Sequence, residues 1–210
     1  MSYASVYITP ELNMALGLKP GFGENEELHR KIVQFIEDYQ TRFLSNWNEN
    51  KGEAILSAFR SLDEVFNKRE LRKGKVSCKK GCSFCCNLNV RISKIEAIVI
   101  ADYCRQNGFS ISPHYLESKL AISESDFPLS QVKRCVFLKN NECSIYEVRP
   151  FACRRYLVKS NPDYCNLEQG LLEKVIRYVN IDAELFISAL LPIFGREEGR
   201  LPEMMLPFAQ

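Results

Sequence analysis

Only two histidines and one tryptophan occur in the 210 residues. The strings H-E-x-x-H, G-x-x-x-x-G-K-[ST], G-x-G-x-x-G and G-x-S-x-G are all missing, so zincin, nucleotide-binding and serine-hydrolase readings have no foothold. Long hydrophobic runs are missing too. Leu185 to Gly195 is interrupted by Ser188 and Pro192 and falls far short of the ~20 residues that span a bilayer, so no membrane span is expected. Residues 1–10 combine no basic start with an apolar stretch and a small-residue cleavage site, which removes the signal for secretion and makes the cytoplasm the expected compartment. Nor does one sign of charge dominate: 28 Lys and Arg against 26 Asp and Glu leave +2. That is too near balance to predict binding to a nucleic-acid backbone or an anionic membrane. With 46% hydrophobic residues, the chain can bury a core as one domain or one domain plus an appendage.

What the chain does have is cysteine, nine in all. In a reducing compartment an odd number of clustered thiols points to metal ligation or redox chemistry rather than structural disulfides. Four stretches are expected. Residues 1–24, with Pro10, Pro20 and three glycines, read as an irregular arm. Residues 25–74 read as a helical hairpin: Leu28, Ile32, Ile36, Tyr39, Phe43 and Trp47 form one stripe, and Ile55, Phe59, Leu62, Val65 and Phe66 a second. The second helix should end in the basic segment Lys68 to Lys73 with Gly74 as its cap. Residues 75–166 carry the cysteines. Within them Ser93 and Glu96 form a capping box for a helix to about Gln106, and Ser112-Pro113 opens another to about Ser123. Residues 167–210 should hold two further helices, one from Asn166–Gln169 to Val179 and one from Asp182 to Leu191, with the tail packed on the same domain. Strand signals are confined to short pieces such as Val132 to Leu138. The expected fold is mainly α, with two irregular cysteine loops converging on metal.

The first loop, Cys78-x3-Cys82-x2-Cys85-Cys86, places three thiols on a tight turn at Gly81 and adds a fourth. The second supplies Cys135, Cys143, Cys153 and Cys165. Structural zinc and a [4Fe–4S] cluster each take four thiolates. Eight candidates therefore suit two sites, or one site with extra thiols, and the neighbours Cys85 and Cys86 serve different sites more easily than one. Lys75, Lys79, Lys80, Arg134, Arg149, Arg154 and Arg155 could neutralise the thiolate charge. Arg149, pre-set to extended geometry by Pro150, could pair with Glu147, with sulfur or with a substrate carboxylate. Tyr146 and Tyr156 read as packing residues, Cys104 as a core thiol on a helix, and His29 and His114 as polar helix residues rather than ligands.

Cys78-x3-Cys82-x2-Cys85-Cys86, Cys135-Val136-Phe137-Leu138 and the run from Cys143-Ser144-Ile145-Tyr146-Glu147 through Arg149-Pro150 to Cys153-Arg154 resemble the YkgJ or CxxCxxCC cysteine-cluster family. The likeness covers about residues 76–165. It implies zinc or iron chelation, and the family also occurs within flagellin lysine N-methylase-like proteins. Two departures are Val136, where a proline is common, and a first gap of three residues; neither removes a ligand.

Three close cysteines with a remote fourth lean toward an iron–sulfur loop, whereas the wide spacing of the second loop fits either metal. Cys78-x3-Cys82-x-Phe84-Cys85 also satisfies the pattern of radical S-adenosylmethionine enzymes, but no alternation of strands and helices is present to build their barrel. Two functional classes follow. One is a metal-binding protein with closed four-thiolate sites and a surface for a protein partner. The other is an iron–sulfur enzyme, redox or lysine N-methylase-like, which needs an open coordination position or an adjacent pocket.

Overall fold

The computed structural model describes residues 8–16, 26–67, 74–79, 81–121, 134–194 and 197–210. They are mostly helical and form two compact units. One comprises the chain up to Lys68 together with Val179–Arg196; the other comprises Arg69–Tyr178 with Glu197–Gln210.

The first unit holds α1 (Pro10–Leu16), α2 (Glu26–Glu49), α3 (Lys51–Asn67) and α7 (Ile181–Phe194). In α2, Ile32, Ile36, Gln40 and Phe43 are buried at spacings of three and four, the stripe that a 3.6-residue period aligns on one face. Only Asn50 separates α2 from α3, and its side-chain oxygen accepts from Glu53 N–H at 3.1 Å, which starts the new helix. α3 buries Ala54, Ile55, Ala58, Phe59, Leu62 and Val65. α7 is apolar nearly all round, as a central helix must be, and its Phe194 meets Phe43 edge-on at 5.3 Å between centroids. The N-terminal arm contains a true helix, α1, fixed by Thr9: its hydroxyl donates to Glu184 at 2.9 Å and its N–H donates to Ser188 Oγ at 3.2 Å.

The second unit contains β1 (Arg91–Ser93), α4 (Lys94–Gln106), α5 (Pro113–Leu120), β2 (Leu138–Lys139), β3 (Glu142–Cys143), α6 (Phe151–Arg155), β4 (Leu157–Val158), β5 (Arg177–Tyr178), β6 (Glu198–Arg200) and α8 (Leu201–Met205). Three two-stranded antiparallel pairs, β1 with β6, β2 with β3 and β4 with β5, close the irregular segments. The capping box at α4 forms: Ser93 Oγ accepts from Glu96 N–H, and Glu96 Oε2 accepts from Ser93 N–H. The carboxylate does more than box the helix, because its Oε1 also accepts the first N–H of α6, that of Phe151, at 2.9 Å. One buried side chain thus starts two helices.

Besides α1, and α7 running past Leu191 to Phe194 with Pro192 inside it, the chain departs from the expected pattern at two places in the second unit. The cap at Asn166 forms, accepting from Glu168 N–H at 3.1 Å. Yet only 3₁₀ turns follow, Leu167–Gln169 and Leu172–Lys174, in place of the helix expected to Val179. Gly170, at φ +61°, ends the first turn in the left-handed region, and after the second turn the chain becomes extended at Val175 so that Arg177–Tyr178 pairs with β4. The expected strand from Val132 is regular only at Leu138–Lys139, where Asn140 and Asn141, both at positive φ, make a two-residue hairpin; residues 132–133 lie outside the described residues. So does the basic segment from Lys68 to Lys73.

Candidate metal centre

The first cysteine loop is anchored at its start, where Ser77 N–H donates to Val158 O and Ser77 Oγ donates to Lys159 O, both at 2.8 Å. Gly81 turns the chain at φ +83°, and Cys82 N–H reaches Lys79 O at 3.0 Å. A 3₁₀ turn, Phe84–Asn87, then carries Cys85 and Cys86. The second loop docks directly on this turn, with Cys135 N–H donating to Cys86 O at 2.8 Å. The hairpin places Cys143, α6 places Cys153, and the 3₁₀ turn Pro162–Cys165 places the last thiol.

Mutual electrostatic influence maps the eight thiols. Cys153 is pushed up by burial and then by Cys135, Cys85 and Cys143. Cys143 is raised by burial and then by Cys135 and Cys85. Cys165 is pushed up to about 11 by burial and by Cys78, Cys82 and Cys85, and burial raises Cys78 and Cys82 as well. Cys86 and Cys85 share a hydrogen bond that pushes Cys86 up and holds Cys85 down to about 7, with the Arg149 guanidinium helping Cys85. Two neighbourhoods emerge: Cys86, Cys135, Cys143 and Cys153 in one; Cys78, Cys82 and Cys165 in the other, with Cys85 in reach of both. Cys104 is apart. It is buried on α4, and Lys139 is the charged group that acts on it among the described residues.

All nine cysteines are free. Among the described residues no three His, Cys, Asp or Glu side chains stand in a ready-made coordinating arrangement. The donor set nevertheless fits a soft cation. Seven of the eight thiols are pushed toward the neutral form by burial, by one another, or by both. A metal ion reverses both effects by putting positive charge among the sulfurs. His29 lies on α2 in the other unit, and His114 is exposed on α5.

The expected cations divide. Lys75, Lys79 and Arg134 are exposed, while Lys80 lies outside the described residues. Arg149 lies 3.9 Å over the ring of Tyr146 and lowers Cys85, Cys143 and Cys153. Arg154, expected among the neutralising cations, is fully buried; its Nε donates to Arg149 O at 2.9 Å and its Nη2 to Glu147 O at 2.6 Å. Its guanidinium also stabilises the Glu96 carboxylate, whose affinity for a proton burial raises. Arg154 therefore fastens the backbone on which Cys153 sits.

Two features escaped the sequence. Lys119, buried on α5, faces Cys135, Cys86 and Cys153; its i+4 spacing from Tyr115 was the available signal. A cavity of about 460 Å³ also opens on Cys85 and Cys153, walled by Leu88, Val90, Ala152 and Tyr156.

Residues 77–169 match the CxxCxxCC family model, described as "Putative zinc- or iron-chelating domain". No curated protein and no solved structure matches the chain.

Proposed function

With residues 77–169 matching a CxxCxxCC domain, we propose that the protein chelates zinc or iron through two four-thiolate sets. Cys86, Cys135, Cys143 and Cys153 form one; Cys78, Cys82, Cys85 and Cys165 form the other. The observation that carries this reading is the pattern of mutual influence, in which Cys153 answers to Cys135 and Cys143, and Cys165 answers to Cys78 and Cys82. Cys85 goes to the second set because four thiolates already complete the first. When bound, the metal supplies the positive charge that keeps buried thiols deprotonated. The protein's own contribution is to bring the two loops together at the Cys135 to Cys86 hydrogen bond and to hold α6 through Glu96 and Arg154.

On this reading the metal staples an ordered domain that meets a protein partner, and free thiols suit a reducing cytoplasm. The cavity beside Cys85 and Cys153 favours a second reading, an iron–sulfur enzyme of redox or lysine N-methylase-like type, because such an enzyme needs space next to its cluster. Anaerobic purification with metal analysis and a visible spectrum tests the metal: a broad charge-transfer absorption with iron and sulfide identifies a cluster, and a colourless zinc-loaded protein identifies zinc. Cys135→Ser and Cys78→Ser should each remove one site's metal and leave the other. Full metal content in both variants would refute the two sets.

A further inference from the structure

The two thiol sets sit in unlike electrostatic surroundings. α5 reaches the first set by a specific contact, Tyr115 Oη donating at 2.6 Å to the carbonyl of Arg134, the residue before Cys135. Lys119 lies one helical turn beyond Tyr115, on the same face, and is only 8% exposed. Burial weakens its hold on a proton, and the negative charges of Cys135, Cys86 and Cys153, three members of the first set, act the other way. Among the described residues the second set has no such lysine: Lys75 and Lys79 are exposed, Arg149 acts on Cys85 but also on Cys143 and Cys153 of the first set, and the charge beside Cys82 is that of Asp163, which is negative. Four thiolates on a divalent ion leave a net charge of −2, so a fixed buried cation stabilises the loaded first set, whereas a carboxylate opposes loading of the second. Burying an ammonium is costly unless an opposite charge faces it; the thiolates of a loaded site are that charge.

Resting on the two-set reading, we propose that Lys119 is the positioning cation that makes Cys86, Cys135, Cys143 and Cys153 the tight metal site, leaving Cys78, Cys82, Cys85 and Cys165 as the exchangeable one. The domain then keeps one ion as part of its structure and can give up or take on the other. Outer partners of this kind change metal affinity by about 10–100-fold.

The test is zinc release from the full zinc-loaded chain to an excess of a chromophoric chelator. Thiols are trapped with iodoacetamide after each phase and located by mass spectrometry. Wild type should release one ion quickly, with alkylation at Cys78, Cys82, Cys85 and Cys165, and the second slowly. Lys119→Met and Lys119→Gln should both speed the slow phase by at least about tenfold and leave the fast phase unchanged. Lys119→Arg should stay near wild type, as should Lys75→Met, which removes an exposed charge. Acceleration in Lys119→Met alone would report lost packing and overturn the proposal, as would equal slow phases in wild type and both neutral variants. Two ions leaving wild type together would overturn the inequality of the sites but not the two sets. A chain that binds fewer than two ions would overturn the two-set reading and this proposal with it.

Discussion

Replacing Arg154 by methionine isolates what holds the second cysteine loop in shape. The side chain is fully buried, donates to the carbonyls of Arg149 and Glu147, and stabilises the buried Glu96 carboxylate. Hydrogen bonds from a charged donor contribute about 1.5–3 kcal/mol each, and stranding one member of a buried charge pair costs about 3–5 kcal/mol. These costs overlap, and the buried methionine returns about 1.5–3 kcal/mol, so a net loss of about 3 kcal/mol is expected. For a unit of this size that is a fall in melting temperature on the order of 10 °C, read by thermal unfolding of the metal-loaded chain beside Arg105→Met, whose side chain is exposed and pairs with Asp102 on the same helix. The deficit should also depend on pH. Burial raises the Glu96 carboxyl above its ordinary value and Arg154 holds it down, so removing Arg154 raises it further. The folded state then binds the proton more tightly than the unfolded state, and stability is lost as pH climbs from the ordinary carboxylate range through the raised value. The variant should accordingly lie closer to wild type at about pH 5 than at about pH 8. A drop below about 3 °C, or a deficit that grows on acidification, would refute the role given to Arg154.

Three further outcomes are expected. Cys82→Ser should lower metal content and melting temperature together, whereas Cys104→Ser should leave metal content intact; metal analysis with thermal melts separates them. Chelation should speed limited proteolysis within residues 74–92 and 126–165 more than within the helices, because ligation supplies part of the ordering free energy of those loops; equal cleavage with and without metal would sink the staple. The thiols raised by burial and by one another, such as Cys165 near 11, are protonated at neutral pH, so metal must displace protons. Zinc affinity should therefore weaken as pH falls, and a pH-stat titration should record proton release on zinc addition.

The stripes of α2 and α3, the Ser93 and Glu96 box and the Ser112-Pro113 start could be read from the sequence because each rests on contacts within four residues. The cysteine loops stood out because eight thiols in two clusters have few other uses. What stayed hidden depends on the third dimension. Asn166 signals a cap, but the pairing of Arg177–Tyr178 with Leu157–Val158 outcompetes a helix only once both are in place. Arg154 and Lys119 look like surface cations in a string of letters; their burial follows from what surrounds them. Nor does periodicity say which helix an apolar face will meet, so the membership of α7 in the first unit was not legible.

Chain order ties the assembly of each unit to that of the other. The first is completed only by Val179–Arg196, after the chain has run from Arg69 to Tyr178, and the second only by Glu197–Gln210, where Leu201 and Met205 are buried. Neither can be cut out as one contiguous fragment. During synthesis, all eight candidate ligands emerge before α7 can join α2 and α3. The helical unit must then close a very long loop, whose entropy grows as the logarithm of its free length at about 0.6 kcal/mol per doubling. Metal that compacts the intervening segment shortens that effective loop, so starving the thiols should delay and weaken the assembly of helices that bear none of them.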